Sequence, residues 1–277
     1  MNGKKNIDSL RDFLSQHDSV VVLTGAGVST SSGIPDYRDR NGDWKQSQPM
    51  QFGEFKASDA ARRRYWARSY VGWSRFSEAR PNAAHEALAR LESSGKVDTL
   101  ITQNVDGLHG EAGSRNVIDL HGRLASVRCI DCNSMQERQR FQEALQEANP
   151  HWDAQPSRFN ADGDAVLAAD SHEQFLVPGC PSCGGAVKPD VVMFGESVPK
   201  SRVERAFEAL DRARALLVVG SSLMVYSGFR FARHASARGM PIAIVNRGLT
   251  RADDLATLKV DGDCETVLPL ILARATA

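Results

Sequence analysis

Two short stretches of this chain combine residue types and spacing that could do chemistry. In Leu100-Ile101-Thr102-Gln103-Asn104-Val105-Asp106-Gly107-Leu108-His109, an amide pair and a carboxylate follow directly on an apolar run. In Val117-Ile118-Asp119-Leu120-His121-Gly122, a second short run delivers an imidazole against a glycine. Both runs read as buried strands, and in an open α/β sheet ligands sit beyond the carboxyl ends of strands. Such a polar cluster is poor core material. It suits holding a sugar and moving one proton, because an imidazole near its ordinary pKa of about 6.5 accepts a proton at neutral pH. His121 is therefore the expected catalytic residue, with Asn104 beside it. The other histidines (His17, His85, His109, His151, His172 and His234) read mostly as structural, His85 and His109 as packing or capping partners.

A phosphate-binding element precedes this cluster. The β-branched run from Ser19 to Leu23 is followed at once by Thr24-Gly25-Ala26-Gly27-Val28-Ser29, continuing into Ser32-Gly33-Ile34-Pro35-Asp36-Tyr37-Arg38. A glycine turn after a strand lets backbone N–H groups approach a pyrophosphate. A hydride-transferring dehydrogenase wants a third glycine and, about 20 residues on, an acidic residue for the ribose. Thr30 and Lys45 stand at those positions, which disfavours that chemistry.

Four cysteines form two pairs, Cys129-x-x-Cys132 and Cys180-x-x-Cys183. Four thiolates with no open position suit one structural, tetrahedral Zn²⁺ rather than a catalytic one. The 47 residues between the pairs exceed the usual interval of about 15–20. Two disulfides or free thiols are the competing reading. The fifth cysteine, Cys264, reads as a small buried hydrophobe.

The elements that must position these residues follow a strand–helix alternation. Ile7, Leu10, Phe13 and Leu14 share one face of a helix before the first strand. Ser58 to Phe76 reads as an Arg- and aromatic-rich helix, and Pro81 to Leu91 as another, with Pro near its start. Val191 to Phe194, Ala215 to Val219 and Ile242 to Val245 are apolar strand candidates, separated by helices over Ser201 to Ala213 and Phe229 to Arg238. Glu265 to Ala275 reads as a closing helix. The expected fold is α/β: a Rossmann-like parallel sheet covered on both faces, with a smaller zinc-binding ribbon and an inserted helical module. The expected boundaries are 1–40, 81–127 and 188–277 for the Rossmann-like domain, 41–80 for the helical module and 128–187 for the zinc-binding module.

Together, the glycine turn with its Gly33-Ile34-Pro35-Asp36-Tyr37-Arg38 continuation, Gln103-Asn104-Val105-Asp106, His121-Gly122 and the paired cysteines closely resemble the sirtuins, NAD-dependent protein lysine deacylases. The resemblance runs from about Val20 to Leu270 and is closest to the class II, mitochondrial-type branch, which also carries a long insert between its cysteine pairs. It implies NAD bound along Gly25, Ala26, Gly27, Ser29, Ile34, Pro35, Asp36, Tyr37 and Arg38, with Arg38 on a phosphate or ordering the loop and Tyr37 over the reacting face. Gln103 and Asn104 would orient the ribose, Val105 would border it, and Asp106 would hold the nicotinamide amide. Gly220, Ser221 and Ser222 would lie near the phosphates and ribose. Asn246, Arg247 and Gly248 would serve the adenosine, with Cys264 beside the adenine. The family more often has Thr at position 221 and Phe at position 37.

The implied reaction begins when the acyl-lysine carbonyl attacks the ribose C1′ as nicotinamide leaves. His121 then takes a proton from a ribose hydroxyl, and the products are lysine, nicotinamide and O-acyl-ADP-ribose. Val191 and Phe194 lie in a stretch like the family's substrate strand, to whose edge an acyl-lysine peptide could add. Tyr65 and Arg68, three apart on one helix face, resemble the Tyr-x-x-Arg that reads an acidic acyl group in the desuccinylase branch. The plainer reading is a solvated face of Arg62, Arg63, Arg64 and Arg68 with Trp66 packed beneath.

Composition narrows the remaining classes. The 277 residues carry 34 basic and 34 acidic side chains, a formal net charge of zero, which argues against a nucleic-acid partner. The sequence has no 18-residue apolar run and no signal-peptide core at its start, so the reading is a cytoplasmic protein with no membrane partner. A monomer is expected, and the resemblance implies acylated-lysine proteins as substrates. A protein ADP-ribosyltransferase using the same NAD site, a non-enzymatic NAD sensor and a zinc-ribbon binder are the competing functions.

Overall fold

The computed structural model describes residues 2–45, 48–160, 163–168 and 171–272. Its strands are β1 (Val20–Thr24), β2 (Val97–Thr102), β3 (Val117–Asp119), β4 (Gly122–Cys129), β5 (Met135–Glu137), β6 (Arg158–Phe159), β7 (Ala165–Val166), β8 (Val187–Val191), β9 (Ala215–Val219), β10 (Ile242–Val245) and β11 (Leu258–Val260). Its helices are α1 (Asn2–Gln16), α2 (Phe52–Ala57), α3 (Asp59–Glu78), α4 (Ala83–Ser93), α5 (Leu108–Glu111), α6 (Arg138–Ala148), α7 (Lys200–Arg212), α8 (Tyr226–Ala237) and α9 (Cys264–Leu272). The expected end of the last helix, Ala275, lies outside the described residues.

Six strands form one parallel sheet in the order β11-β10-β9-β1-β2-β3. All residues of β1, β9 and β10 are buried, which is why they read as unbroken apolar runs. Alternation within β1 feeds two cores. Val20 and Val22 pack with Leu10 and Leu14 of α1, Leu88 of α4 and Leu268 of α9. Val21 and Leu23 pack on the other face with Leu210 of α7 and Phe231 of α8. The chain runs outward to β2 and β3 on one side of β1, and to β9, β10 and β11 on the other. The carboxyl ends of β1 and β9 therefore form the switch point where such sheets bind ligands.

The strand expected over Val191 to Phe194 is displaced. The strand there is β8, Val187–Val191, and it pairs antiparallel with β4 in a separate sheet ordered β5-β4-β8. Pro189, Lys188 and Asp190 disguise it in the sequence. Pro is tolerated because β8 is an edge strand. This sheet joins residues on both sides of the boundaries expected at 127 and 188. Its core is also shared with the helical module: Phe55, Tyr65 and Trp66 pack with Phe141, Leu145, Val127 and Val187. Trp66 is fully buried, and its Nε1 donates to the carbonyl of Val187 at 2.9 Å. Arg138 lies over the rings of Trp66 and Trp73, at 5.2 and 4.8 Å, and closes the packing of α6 on α3.

The paired cysteines meet at the tip of this sheet. Cys129 Sγ lies 3.5 Å from Cys183 Sγ, Cys132 Sγ lies 3.7 Å from Cys180 Sγ, and all four sulfurs fall within 4.8 Å of one another. A tetrahedron of thiolates about 2.3 Å from Zn²⁺ has edges of about 3.8 Å, so four cysteines are positioned to bind one zinc ion. The amides of Asp131 and Cys132 point at Cys129 Sγ, that of Ser182 at Cys180 Sγ and that of Gly185 at Cys183 Sγ. These N–H groups stabilise thiolate charge, as outer-shell donors do.

Two outcomes follow. Trp66→Ala, which empties a fully buried site between the helices and β8, should cost about 3–5 kcal/mol in urea unfolding. Protein purified without chelator should hold about one equivalent of zinc by metal analysis, and Cys132→Ser should lose it together with solubility, because ligand binding energy is folding energy in such sites. Zinc below about half an equivalent would sink the four-thiolate site.

Candidate active site

A cavity of about 570 Å³ opens where the parallel sheet ends. Its walls are the residues immediately following β1, β2, β9 and β10 (Gly25, Gln103, Gly220 and Asn246) together with His121, just beyond β3. The two turns at the switch point touch backbone to backbone. Gly25 N–H donates to Val219 O at 3.2 Å and Gly27 N–H to Gly220 O at 2.8 Å. Gly220 has φ +59°, and a Cβ on it would stand 2.4 Å from Val28 N. Only glycine fits that crossing.

His121 is reached through a second forced glycine. Leu120 N–H donates to Thr102 O, which carries the β2–β3 ladder one residue further. Gly122 then turns the chain with φ +82° into β4, where a Cβ would stand 2.0 Å from Asp190 O. The imidazole is half-buried between two partners: Nδ1 is 2.9 Å from Gln103 O and Nε2 is 2.8 Å from Ser227 Oγ. A carbonyl only accepts, so Nδ1 carries the proton and Nε2 presents its lone pair, accepting from the Ser227 hydroxyl. Burial pushes the His121 pKa down to about 4; the Gln103 carbonyl opposes this and Arg230 and Arg202 add to it. His121 is thus a neutral base at pH 7, fixed in one tautomer.

Beside it runs a chain of polar contacts. Asn104 Nδ2 donates to Ser29 Oγ at 3.0 Å, and Ser29 Oγ donates to Asp106 Oδ2 at 2.7 Å. Asp106 Oδ1 accepts from Leu108 N–H at 3.0 Å. Burial raises the Asp106 pKa, while these hydrogen bonds hold it down. Gln103 Nε2 donates to Ser221 Oγ at 2.7 Å, tying the β2 end to the β9 end. Behind the wall, His85 completes a capping box with Asn82 at the start of α4, and His109 Nε2 lies 2.9 Å from Thr24 Oγ1. Both imidazoles are held neutral by burial, His85 at about 4.

The structure gathers most of the residues singled out in the sequence. Gly25, Ala26, Gly27, Ser29, Ile34, Asp36, Tyr37, Arg38, Gln103, Asn104, Val105, Asp106, His121, Gly220, Ser221, Ser222, Asn246 and Arg247 line the cavity, as do Tyr65, Val191 and Phe194. Pro35, Gly248, Cys264 and Arg68 do not. Cys264 is buried at the start of α9 with Sγ 3.8 Å from Val245 O, and burial raises its thiol pKa to about 12. Arg68 Nε donates to Ala165 O at 3.1 Å and its guanidinium pairs with Asp164 at 3.8 Å, whereas Tyr65 lines the cavity. Arg38 donates to Gly42 O at 2.7 Å and stacks 4.1 Å over Trp44. The rings of Tyr37, Trp44 and Phe194 meet edge to face at 5.7–6.2 Å across one wall.

Sequence reasoning missed Ser227, Arg230 and Trp44. Ser227 and Arg230 share a helix face by spacing, but nothing in the sequence connects that face to His121, 106 residues away. Asp36 pairs with Lys45, the residue that had counted against a dehydrogenase ribose site.

The donor set fits a dinucleotide. Backbone amides and hydroxyls cluster at the glycine turns, amides and a carboxylate stand near the imidazole, and the Asn246 side chain is buried at the β10 end. Comparisons agree. Residues 25–227 match the model of the Sir2 family. An NAD-dependent protein deacetylase of Bordetella bronchiseptica is 54% identical over 97% of this chain and 98% of its own length. NAD-dependent protein deacetylase 2 of Bradyrhizobium diazoefficiens is 56% identical over 95% and 97%. The mitochondrial NAD-dependent protein lipoamidase sirtuin-4 of Bos taurus is 46% identical over 98% and 87%. A solved Sir2 structure with a p53 peptide and NAD+ superposes with a TM-score of 0.78 at 31% identity, covering 96% of this chain and 97% of the other. With identity at this level along almost the whole length of both chains, this protein belongs to the Sir2 family.

Proposed function

We propose that this protein removes acyl groups from protein lysine side chains in an NAD-dependent reaction that yields nicotinamide and O-acyl-ADP-ribose. The observation that carries the reading is the His121 imidazole on the cavity wall, locked through Nδ1 onto Gln103 O with its Nε2 accepting from Ser227 Oγ, on the wall it shares with the Asn104–Ser29–Asp106 chain. The deacetylase names of the bacterial relatives support it.

Bound NAD supplies a C1′–nicotinamide bond whose breaking makes the ribose carbon electrophilic. The chain's own residues do the rest. The glycines of the two turns give their N–H groups to backbone carbonyls of neighbouring strands and turns, which leaves Ala26, Ser221 and Ser222 to offer backbone and hydroxyl donors to the phosphates. Gln103 and Asn104 hold ribose hydroxyls. Asp106, anchored by Ser29 and Leu108 N–H, accepts from the nicotinamide amide. Tyr37, Trp44 and Phe194 cover one wall and shield the ribose carbon from bulk water; the single water that the overall reaction consumes adds after acyl transfer to the ribose hydroxyl and releases the lysine amine. His121 Nε2 accepts a proton from a ribose hydroxyl once Ser227 yields its place. The acyl-lysine peptide lies along Val191 to Phe194 with its acyl group toward Tyr65. For Arg68 to read an acyl carboxylate, it would have to leave both Ala165 and Asp164.

The same reading places the enzyme among acyl-group transferases, because the acyl group passes to the ADP-ribose moiety. The bovine sirtuin-4 relative supports the class II, mitochondrial-type branch. No described helix is long and apolar enough to cross a membrane. Our reading is a cytoplasmic monomer acting on acylated proteins, with no nucleic-acid partner.

Mass spectrometry of acyl-lysine peptides incubated with NAD tests the function. O-acyl-ADP-ribose is expected, and ADP-ribosylated protein without it would point to the transferase alternative. His121→Ala should lower kcat/KM by about 10²- to 10⁴-fold with the fold intact by circular dichroism. A folded variant with full activity would remove His121 from the mechanism.

The depressed imidazole pKa sets a pH window. Because His121 is the base in its neutral form, kcat/KM should hold as pH falls from 7 toward 5 and drop through about 4. The fold works against this limb. Unfolded histidine titrates at about 6.5, whereas folded His85 and His121 titrate at about 4 and His109 well below its ordinary value. Between those values the unfolded chain binds more protons. The stability from these groups is complete above about 6.5 and is lost as pH falls through the folded value. Thermal melting should therefore decline from pH 6.5 downward. A flat melting profile with an activity limb at 6.5 or above contradicts both expectations.

A further inference from the structure

We propose that the lip of the cavity formed by the start of α8 and by Arg251 binds acidic residues flanking the acylated lysine of a substrate peptide. The inference takes its ligand, a peptide, from the deacylase reading; the charge preference comes from this lip alone. Tyr226, Arg230 and Arg233 lie four and three residues apart along α8 and so share one face. The Arg230 and Arg233 guanidinium carbons stand 5.4 and 5.9 Å from the Tyr226 ring centroid. Arg251 lies 4.3 Å over the Phe229 ring and donates to Met224 O at 3.4 Å. Stacking on an aromatic face leaves the in-plane N–H groups of a guanidinium available to a carboxylate.

None of these three arginines has a carboxylate partner among the described residues. Arg230 Nε is buried with no hydrogen-bond partner at all. Of the other arginines of the cavity wall, Arg247 is neutralised by Asp263 at 2.6 Å, and Arg38 lies on the opposite aromatic wall over Trp44. Asp253, on the segment packed against α8, is taken by Lys259 and Thr250. In a chain of zero net charge, Arg230 stands on the cavity wall and Arg233 and Arg251 stand beside it, held on Tyr226 Oη and Met224 O at 3.4 Å but with no carboxylate among the described residues. The rim belongs to the cavity: Met224, Val225, Tyr226 and Arg230 line it together with Val191 and Phe194. Tyr226 is 50% exposed and Val225 37%, so both are open to a peptide.

The test uses the full chain and labelled acetyl-lysine peptides, identical except for Asp or Lys at the flanking positions, with affinity read by fluorescence anisotropy without NAD. The Asp peptide should bind about 3- to 10-fold more tightly at low salt, as two or three partly exposed ion pairs allow. The difference should shrink in about 0.5 M salt. Arg233→Glu, at an exposed position, should abolish or reverse the preference, and Arg230→Ala should reduce it. Equal affinity for the two peptides, a preference unmoved by both variants, no binding of either peptide, or a single-stranded oligonucleotide that outcompetes the Asp peptide would each overturn the proposal. Equal rates of deacylation on both peptides would overturn the lip while leaving the deacylase reading in place.

Discussion

The site depends on one steric constraint, the contact of two backbone turns at the switch point of the sheet. Gly27 N–H reaches Gly220 O at 2.8 Å, and a Cβ on Gly220 would overlap Val28 N. That approach brings the ends of β1 and β9 into one rim. It sets both glycine turns on the wall of one cavity. The strands supply the stiffness: β1, β9 and β10 are buried throughout and cannot shift without opening two apolar cores at once. The Gln103–Ser221 contact then carries the same rim across to β2, so the catalytic cluster and the phosphate turns form one connected wall.

On that wall, hydrogen-bond inventory decides the chemistry more than charge does. Gln103 O accepts only, which fixes the proton on Nδ1 of His121 and makes Nε2 the base. In the ligand-free protein, Ser227 fills the Nε2 lone pair. On the proposed reading, a ribose hydroxyl that took Nε2 would exchange one hydroxyl partner for another. Ser29 plays the same part for Asn104 and Asp106, standing between an amide donor and a carboxylate acceptor. The cost of this arrangement is acid sensitivity, since three imidazoles are kept neutral by burial.

The parts of this structure legible in the sequence were those set by local pattern. Apolar runs gave β1, β9 and β10, and the cysteine spacing gave the four-sulfur cluster. The glycine turn, Gln103–Asp106 and His121 were visible because polar residues at the ends of buried strands have no structural use. What stayed hidden was set by tertiary context. β8 carries Pro189 between two charged residues, so it does not read as a strand, while Val191–Phe194 does. Tyr65 and Arg68 share a helix face, yet Asp164 and Ala165 draw the guanidinium away, a partnership nearly a hundred residues distant. Ser227 was invisible for the same reason. A lone serine in the first turn of a helix gives no sign of the imidazole it meets.

The stretch after β8 shows how a wall can be held in place without a sheet on both sides. Lys188 is buried, and its ammonium donates to Val191 O at 2.6 Å, Pro189 O at 3.2 Å and Glu196 Oε2 at 3.2 Å. Glu196 Oε2 in turn accepts from Met193 N–H at 3.0 Å. Val192 N–H reaches His121 O, and Phe194 O accepts from Phe52 N–H. The ion pair and the backbone contacts of Val191, Val192, Met193 and Phe194 fix Val191 to Glu196 against both the strand end that carries His121 and the helical module. Burying one charge without the other would cost about 3–5 kcal/mol, so the pair holds its geometry as a unit. The wall that faces the proposed peptide is therefore bonded through its backbone to the residue that carries the base.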